Sequence, residues 1–179
     1  MRPMISRLST RAGFAVGAAV CAALLAFGLY LQYVQRLEPC PLCYVQRGFF
    51  ILAMGAFAIA AIHGPGRLGA MIYGILAALF AAGGLAAASR QVWLQHLPAD
   101  RVPQCGPDLF FMVKNFPLGE TLMKLVQGTG ECAKVDWTFL GLSIAEWSLG
   151  WFVALVVYAL WLGMRRAGSP AAAAAAASR

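Results

Sequence analysis

The sequence predicts an all-α fold, an integral membrane four-helix bundle with one long loop outside the bilayer, and three observations predict it. Of the 179 residues, 61% are hydrophobic and 12% charged, whereas soluble domains run at about 45–50% apolar and about 25% charged. The charges leave four long gaps, from Arg11 to Arg36, Arg47 to Arg67, Arg67 to Arg90 and Glu146 to Arg165, each filled with Ala, Leu, Ile, Val, Phe and Gly. The basic residues are also distributed unevenly among the segments between the gaps. The apolar content excludes disorder, and the lack of a glycine repeat excludes a collagen-like chain. A net charge of +7 does not point to nucleic acid, because no Lys/Arg cluster interleaves with exposed aromatics. Charges at the edges of apolar runs fit a lipid bilayer as the partner instead.

A helix needs roughly 20 apolar residues to cross a hydrocarbon core of about 30 Å, so each gap is long enough. The expected spans lie near 13–33, 44–63, 68–90 and 145–163, within a single membrane domain of residues 1–165. The basic N-terminus followed by an apolar run has the look of a secretory signal, but the run exceeds the usual length of about 7–15 residues and no small-x-small site precedes a polar mature start, so it reads as span one. Cys21, inside that span, reads as a buried thiol packing as a small hydrophobe. Span two opens on CPLC. Span three carries GILAALFAAGG (residues 74–84), whose small residues permit close helix approach. After span four, residues 166–179 form a low-complexity, Ala-rich tail.

Charge also sets the expected orientation. The segments before span one, between spans two and three, and after span four hold seven basic residues and no acidic one, while the opposite side holds seven of each. The positive-inside rule then makes both termini and the tail cytoplasmic. Loops at about 34–43 and 91–144 face outward.

Four cysteines lie on the outward side: Cys40 and Cys43 in CPLC, Cys105 and Cys132 in the long loop. In an oxidising compartment two disulfides are the default, as staples or as working redox centres. A staple suits the long loop, which gains from closure, and suits CPLC poorly, since only two residues are closed there. Pro41 fits the first position of a helix, making Cys40 its cap and placing Cys43 in its first turn, where unpaired N–H groups and the helix dipole stabilise a thiolate. Arg47 follows one turn later, read either as a snorkelling interfacial arginine or as a donor to an electron-accepting carbonyl beside the thiolate. Spans two and three run antiparallel, so Arg90, Gln91 and Trp93 reach the same depth and offer polar donors and an aromatic wall to a flat ring. In the long loop, LFFMVKNFPLGETLMKLV (109–126) reads as a segment lying on the membrane surface or as a plain connector.

CPLCYVQR at the head of span two and ECAKVDWTFLGLSIAEWSLGWF from Glu131 to Phe152 resemble the DsbB family, the quinone-dependent thiol oxidases of the bacterial inner membrane. The resemblance covers the chain to about residue 165 and departs at Gln91, where some members carry histidine. It implies a relay of the kind that keeps a bacterial periplasm oxidising. Cys105–Cys132 would oxidise a soluble periplasmic DsbA-type dithiol protein, and Cys40–Cys43 would reoxidise the loop pair. Ubiquinone, or menaquinone without oxygen, would then reoxidise Cys40–Cys43, with Cys43 facing the ring, Arg47 polarising its carbonyl, and Gln91 and Arg90 beside it. Cys105 sits among Pro103, Gly106 and Pro107, an exposed turn that an incoming protein reaches, whereas Cys132 leads back into span four and stays near CPLC. No metal site is expected. Three alternatives remain open. A vitamin K epoxide reductase-like enzyme would place its CxxC late in the chain. A thiol-based metal transporter would line a pore with ligands, whereas Cys21 alone lies deep in a span. A membrane scaffold stapled by disulfides leaves CPLC beside Arg47 unexplained.

Overall fold

The structure, a computed structural model, describes residues 10–98, 100–103, 114–117, 119 and 128–165. Four helices dominate it: α1 (Thr10–Tyr33), α2 (Pro41–His63), α3 (Arg67–Gln95) and α4 (Ile144–Arg165). Each is long and apolar enough to cross a membrane. The bundle runs up and down, with α1 packed on α2, α2 on α3 and α3 on α4. One end of it, the cysteine end, gathers the end of α1, the start of α2, the end of α3 and the start of α4. The other end, the terminal end, gathers the start of α1, the end of α2, the start of α3 and the end of α4.

The charge gaps located all four spans but not their ends. Helix α2 begins at Pro41, three residues before the expected start at 44, and α3 continues to Gln95 instead of stopping near 90. Gln91 and Trp93 therefore ride on the last turns of a helix, not in the loop. Backbone hydrogen bonding does not stop at the first charge: it runs on to the N–H of His96, which reaches the carbonyls of Val92 and Trp93, and to that of Leu97, which reaches Leu94. Glutamine and leucine propagate a helix readily.

At the terminal end, α2 closes on Gly64, whose φ of 59° lies in the left-handed region that glycine enters without a Cβ clash. Arg11 of α1 reaches across to the same end, with Nε donating to the Ala61 carbonyl at 3.1 Å and Nη2 to that of Ile62 at 2.7 Å. A guanidinium there satisfies orphan carbonyls and complements the negative end of the helix dipole. Tyr158 Oη donates to the Gly13 carbonyl at 2.9 Å, tying α4 to α1 at this end.

The core is built from small residues interleaved with aromatic rings. Ala53, Ala56 and Ala60 of α2 and Ala77, Ala81 and Ala88 of α3 are buried together with Phe14, Phe57 and Phe152. Phe50 and Phe152 stack with centroids 4.0 Å apart. At Gly74 a Cβ would come within 2.8 Å of the Ala159 carbonyl oxygen, and at Gly84 within 2.2 Å of the Phe152 ring, so the GILAALFAAGG stretch does bring α3 and α4 into contact. Cys21 is fully buried in this core. Large apolar side chains such as Ile62, Leu68, Leu79 and Val157 point outward, as a lipid-facing surface requires.

Between α3 and α4 the described chain forms two small elements. A 3₁₀ turn spans Gly130–Ala133, and a two-stranded antiparallel ribbon pairs β1 (Thr138–Phe139) with β2 (Leu142–Ser143). Leu140 and Gly141 link the strands with φ of 55° and 81°, the paired positive values of a type I′ turn. The all-α expectation did not include this ribbon, because strands of two residues leave no alternating pattern to read. Ser143 then starts α4. Its N–H donates to Glu146 Oε2 at 2.7 Å, and its Oγ accepts from the Glu146 N–H at 3.3 Å, a reciprocal capping box. The same Oγ donates to Gln95 Oε1 at 2.8 Å, fastening the start of α4 to the end of α3. The tail 166–179, and residues 109–126 apart from 114–117 and 119, lie outside the described residues.

Candidate redox site

Pro41 occupies the first turn of α2 and Cys40 is its N-cap, with extended φ and ψ of −67° and 164°. The Cys40 carbonyl accepts from the N–H of Cys43 at 3.0 Å and of Tyr44 at 3.3 Å. This turn folds the two thiols toward each other, and their sulfurs stand 2.9 Å apart. Cys40, Cys43 and Cys132 are free thiols in the structure. The pair closes to a disulfide, at about 2.0 Å, by a short approach of the sulfurs.

Cys132 joins this pair. Its 3₁₀ turn packs against α3 and the start of α2, and its buried side chain clusters with Cys40, Leu42 and Leu94. Gly128, with φ of 74°, leads into the turn where a Cβ would strike Leu94 and Leu42; only glycine lets the chain settle so closely. A hydrogen bond with Cys40 lowers the Cys132 thiol to about 6, against the opposing effect of burial and with help from the backbone N–H groups of Leu42 and Thr129. Cys40 is pushed up by its hydrogen bonds to Cys132 and Cys43, and burial adds to this. Cys40 thus keeps the proton and donates it, while Cys132 holds a thiolate near neutral pH. Cys105 lies outside the described residues.

Gln91 of α3 approaches the same sulfurs. Its Nε2 lies 3.4 Å from both Cys40 Sγ and Cys43 Sγ, and its Oε1 accepts from Gln46 Nε2 at 2.6 Å. Arg47 takes a different course. Its Nη1 donates to Gln32 Oε1 and its Nη2 to the Gly28 carbonyl at 2.9 Å, both on α1, with the guanidinium 5.7 Å from the Tyr44 ring centroid. Arg47 is therefore half-buried, with its guanidinium tying α2 to α1. Arg90 and Trp93 stack on each other, Arg90 Cζ lying 4.2 Å from the indole centroid.

Beside the thiols the four helices, the 37–39 loop and the chain before α4 line an open cavity of about 540 Å³, within the range of small-ligand sites. Cys40, Cys43, Arg47 and Gln91 border it, and Phe50, Trp147 and Trp151 supply aromatic walls. Arg90 and Trp93 are not part of its lining, and Trp93 is half exposed. The sequence reading overlooked Gln46, Gln95 and the α4 tryptophans. Trp147 and Trp151 were legible as neighbours of CPLC, because span four runs in the same direction as span two and starts level with it. A flat ring bearing hydrogen-bond acceptors fits this lining, as the guanidinium has five N–H donors, of which the α1 contacts engage two.

A family model described as Disulfide bond formation protein DsbB matches residues 10–162. Disulfide bond formation protein B of Methylococcus capsulatus is 50% identical over 152 residues, which cover 85% of this chain and 93% of the relative. The proteins of the same name from Chromobacterium violaceum and Nitrosococcus oceani are each 47% identical, over 163 and 162 residues and over 90% of this chain, and match 98% and 96% of their own lengths. These matches take in all four membrane helices, the CPLC turn and the turn that carries Cys132, and with them the chain belongs to the DsbB family, membrane proteins of disulfide bond formation.

Proposed function

We propose that this protein oxidises a soluble DsbA-type dithiol protein in the periplasm and passes the electrons to a membrane quinone, from an inner membrane in which both termini are cytoplasmic. The observation that carries the reading is the run of three sulfurs, Cys132 against Cys40 and Cys40 against Cys43, beside a cavity walled by aromatic rings. Thiol–disulfide exchange passes along such a run by attack of one thiolate on the next disulfide. The partner attacks the Cys105–Cys132 disulfide at Cys105, and Cys132 leaves as a thiolate. That thiolate attacks Cys40 of the Cys40–Cys43 disulfide, and Cys43 leaves with the bonding electron pair.

A quinone, ubiquinone or menaquinone, supplies a two-electron, two-proton acceptor. Arg47 and Cys43 would hold its ring beside Gln91, and Phe50, Trp147 and Trp151 would exclude water from it. Without that sink the relay stalls, because DsbA-type proteins are strong oxidants, and about 30 mV uphill costs about 1.4 kcal/mol for a two-electron couple.

A trapping experiment tests the direction of the relay. A DsbA-type protein keeping only its first active-site cysteine cannot resolve a mixed disulfide, so it should accumulate as an adduct linked to Cys105. An adduct mapping chiefly to Cys132 or Cys40 would reverse the order of exchange.

A further inference from the structure

Gln46 and Gln91 are both 4% exposed, unusual burial for two uncharged polar side chains within an apolar bundle. Glutamine has two donor hydrogens on Nε2 and an acceptor at Oε1. Gln46 Nε2 donates to Gln91 Oε1 at 2.6 Å, which fixes which way the Gln91 amide faces. Its NH₂ group is thereby turned to the two sulfurs, each at 3.4 Å, one hydrogen for each. With a thiol at Cys43, the S–H can also donate to Gln91 Oε1, at 3.7 Å; a thiolate has no hydrogen to give and only accepts.

We propose that Gln91 is a catalytic hydrogen-bond donor to the sulfurs of Cys40 and Cys43, and that Gln46 is a positioning residue holding the Gln91 amide with its NH₂ toward them. The proposal rests on reading CPLC as the working pair. In the exchange step the Cys132 thiolate forms a bond to Cys40 Sγ, the Cys40–Cys43 bond breaks, and Cys43 Sγ leaves with the electron pair. A thiolate enters and a thiolate departs, so no proton is needed. Gln91 donates hydrogen bonds to the departing sulfur and keeps its own protons, and hydrogen bonds to a charged acceptor are the strong ones. The Gln91 amide comes from α3, and so reaches the sulfurs from a different helix than the α2 N-terminus that carries them.

Among the described residues, the charged and titratable groups around the sulfurs are Arg47 on α2, Cys132 on its 3₁₀ turn, and Glu38, Glu131 and Asp136 at the cavity's rim. The cavity-lining residues of α1, α3 and α4 include none that titrates near neutral pH. The donor facing the pair is therefore uncharged at every working pH, and the pH dependence of thiolate formation belongs to the cysteines.

The test is the rate of iodoacetamide labelling of residues 37–47, the tryptic peptide holding Cys40 and Cys43, in the reduced full-length chain as a function of pH. Partner and quinone are absent, so a failure here leaves the electron-transfer reading untouched, and a failure of that reading leaves this result standing. Gln91→Met should lower labelling at neutral pH roughly tenfold, as expected for losing a hydrogen bond to a charged group. The midpoint should move to higher pH while the high-pH plateau stays at the wild-type rate. A role in packing alone would instead change the plateau, through access to the sulfurs. Gln46→Met should shift the midpoint the same way by less, and should add nothing in the Gln91→Met background. Gln91→Asn, which draws the amide back by one methylene, provides the same test should the Met variant not accumulate. An unshifted midpoint in a folded residue-91 variant, or an additive effect of Gln46→Met, would overturn the proposal.

Discussion

Arg47 brings a guanidinium to the mouth of an apolar bundle, a placement that costs roughly 2.5–3.5 kcal/mol at mid-membrane and less toward the interface. The structure offsets that cost with Gln32, the Gly28 carbonyl and the Tyr44 ring. The fork donates to α1, and the amide nitrogen 3.4 Å from both sulfurs is that of Gln91. Arg47 and Gln91 then divide the work, one toward the cavity and the other toward the thiols. Arg47→Ala should raise the quinone KM by about tenfold to a hundredfold, the equivalent of about 1.5–3 kcal/mol for a charged hydrogen bond. Disulfide exchange with the dithiol partner should proceed at nearly the wild-type rate. Arg47→Lys should rescue in part only, because a point charge cannot reproduce the planar fork held by two acceptors. Steady-state kinetics with varied quinone, set beside single-turnover exchange with the partner, separate the two effects.

At the scale of elements, the contact between α3 and α4 depends on glycine more than on large apolar side chains. Gly74 lies against the backbone of Ala159 and Gly163, and nothing there can move aside for a Cβ except a helix. Gly74→Val should therefore force the helices apart and lower the thermal midpoint, whereas Gly55→Ala, where a Cβ meets nothing, should leave it unchanged or raise it slightly. Circular dichroism melts of both variants in the same detergent check this. The spans themselves were legible because a charge cannot sit in hydrocarbon, so gaps between charges mark the helices. Their ends were not, since a helix ends where hydrogen bonding ends, and Arg90 lies one full turn inside α3. The start of α4 carried a further signal: Ser143-Ile-Ala-Glu146 has the spacing of a capping box, and α4 starts there. The cysteine pair of CPLC was legible from its spacing and its proline. The Gln46–Gln91 pair was not, because two uncharged amides 45 residues apart leave no periodic or electrostatic mark in a sequence.

The whole molecule is organised by charge along one axis. Arg11 and Arg67 lie at the terminal end of the bundle, and every described acidic residue lies toward the cysteine end. If the positive end faces the cytoplasm, alkaline phosphatase fused after residue 120 should be active and fusions after residue 66 or 166 inactive. An active fusion at 66 would turn that end of α2 outward and contradict the orientation proposed here. Orientation matters because the thiols must meet a protein in one compartment while the cavity remains within reach of the bilayer. The measurement that tests this arrangement most directly is quinone reduction, followed by absorbance, with a reduced DsbA-type protein as donor and this chain as the only catalyst. The account predicts one quinol formed for each partner disulfide, and loss of turnover in Cys43→Ser and in Cys132→Ser; partner oxidation without quinol formation, or turnover undiminished in Cys43→Ser, would contradict it.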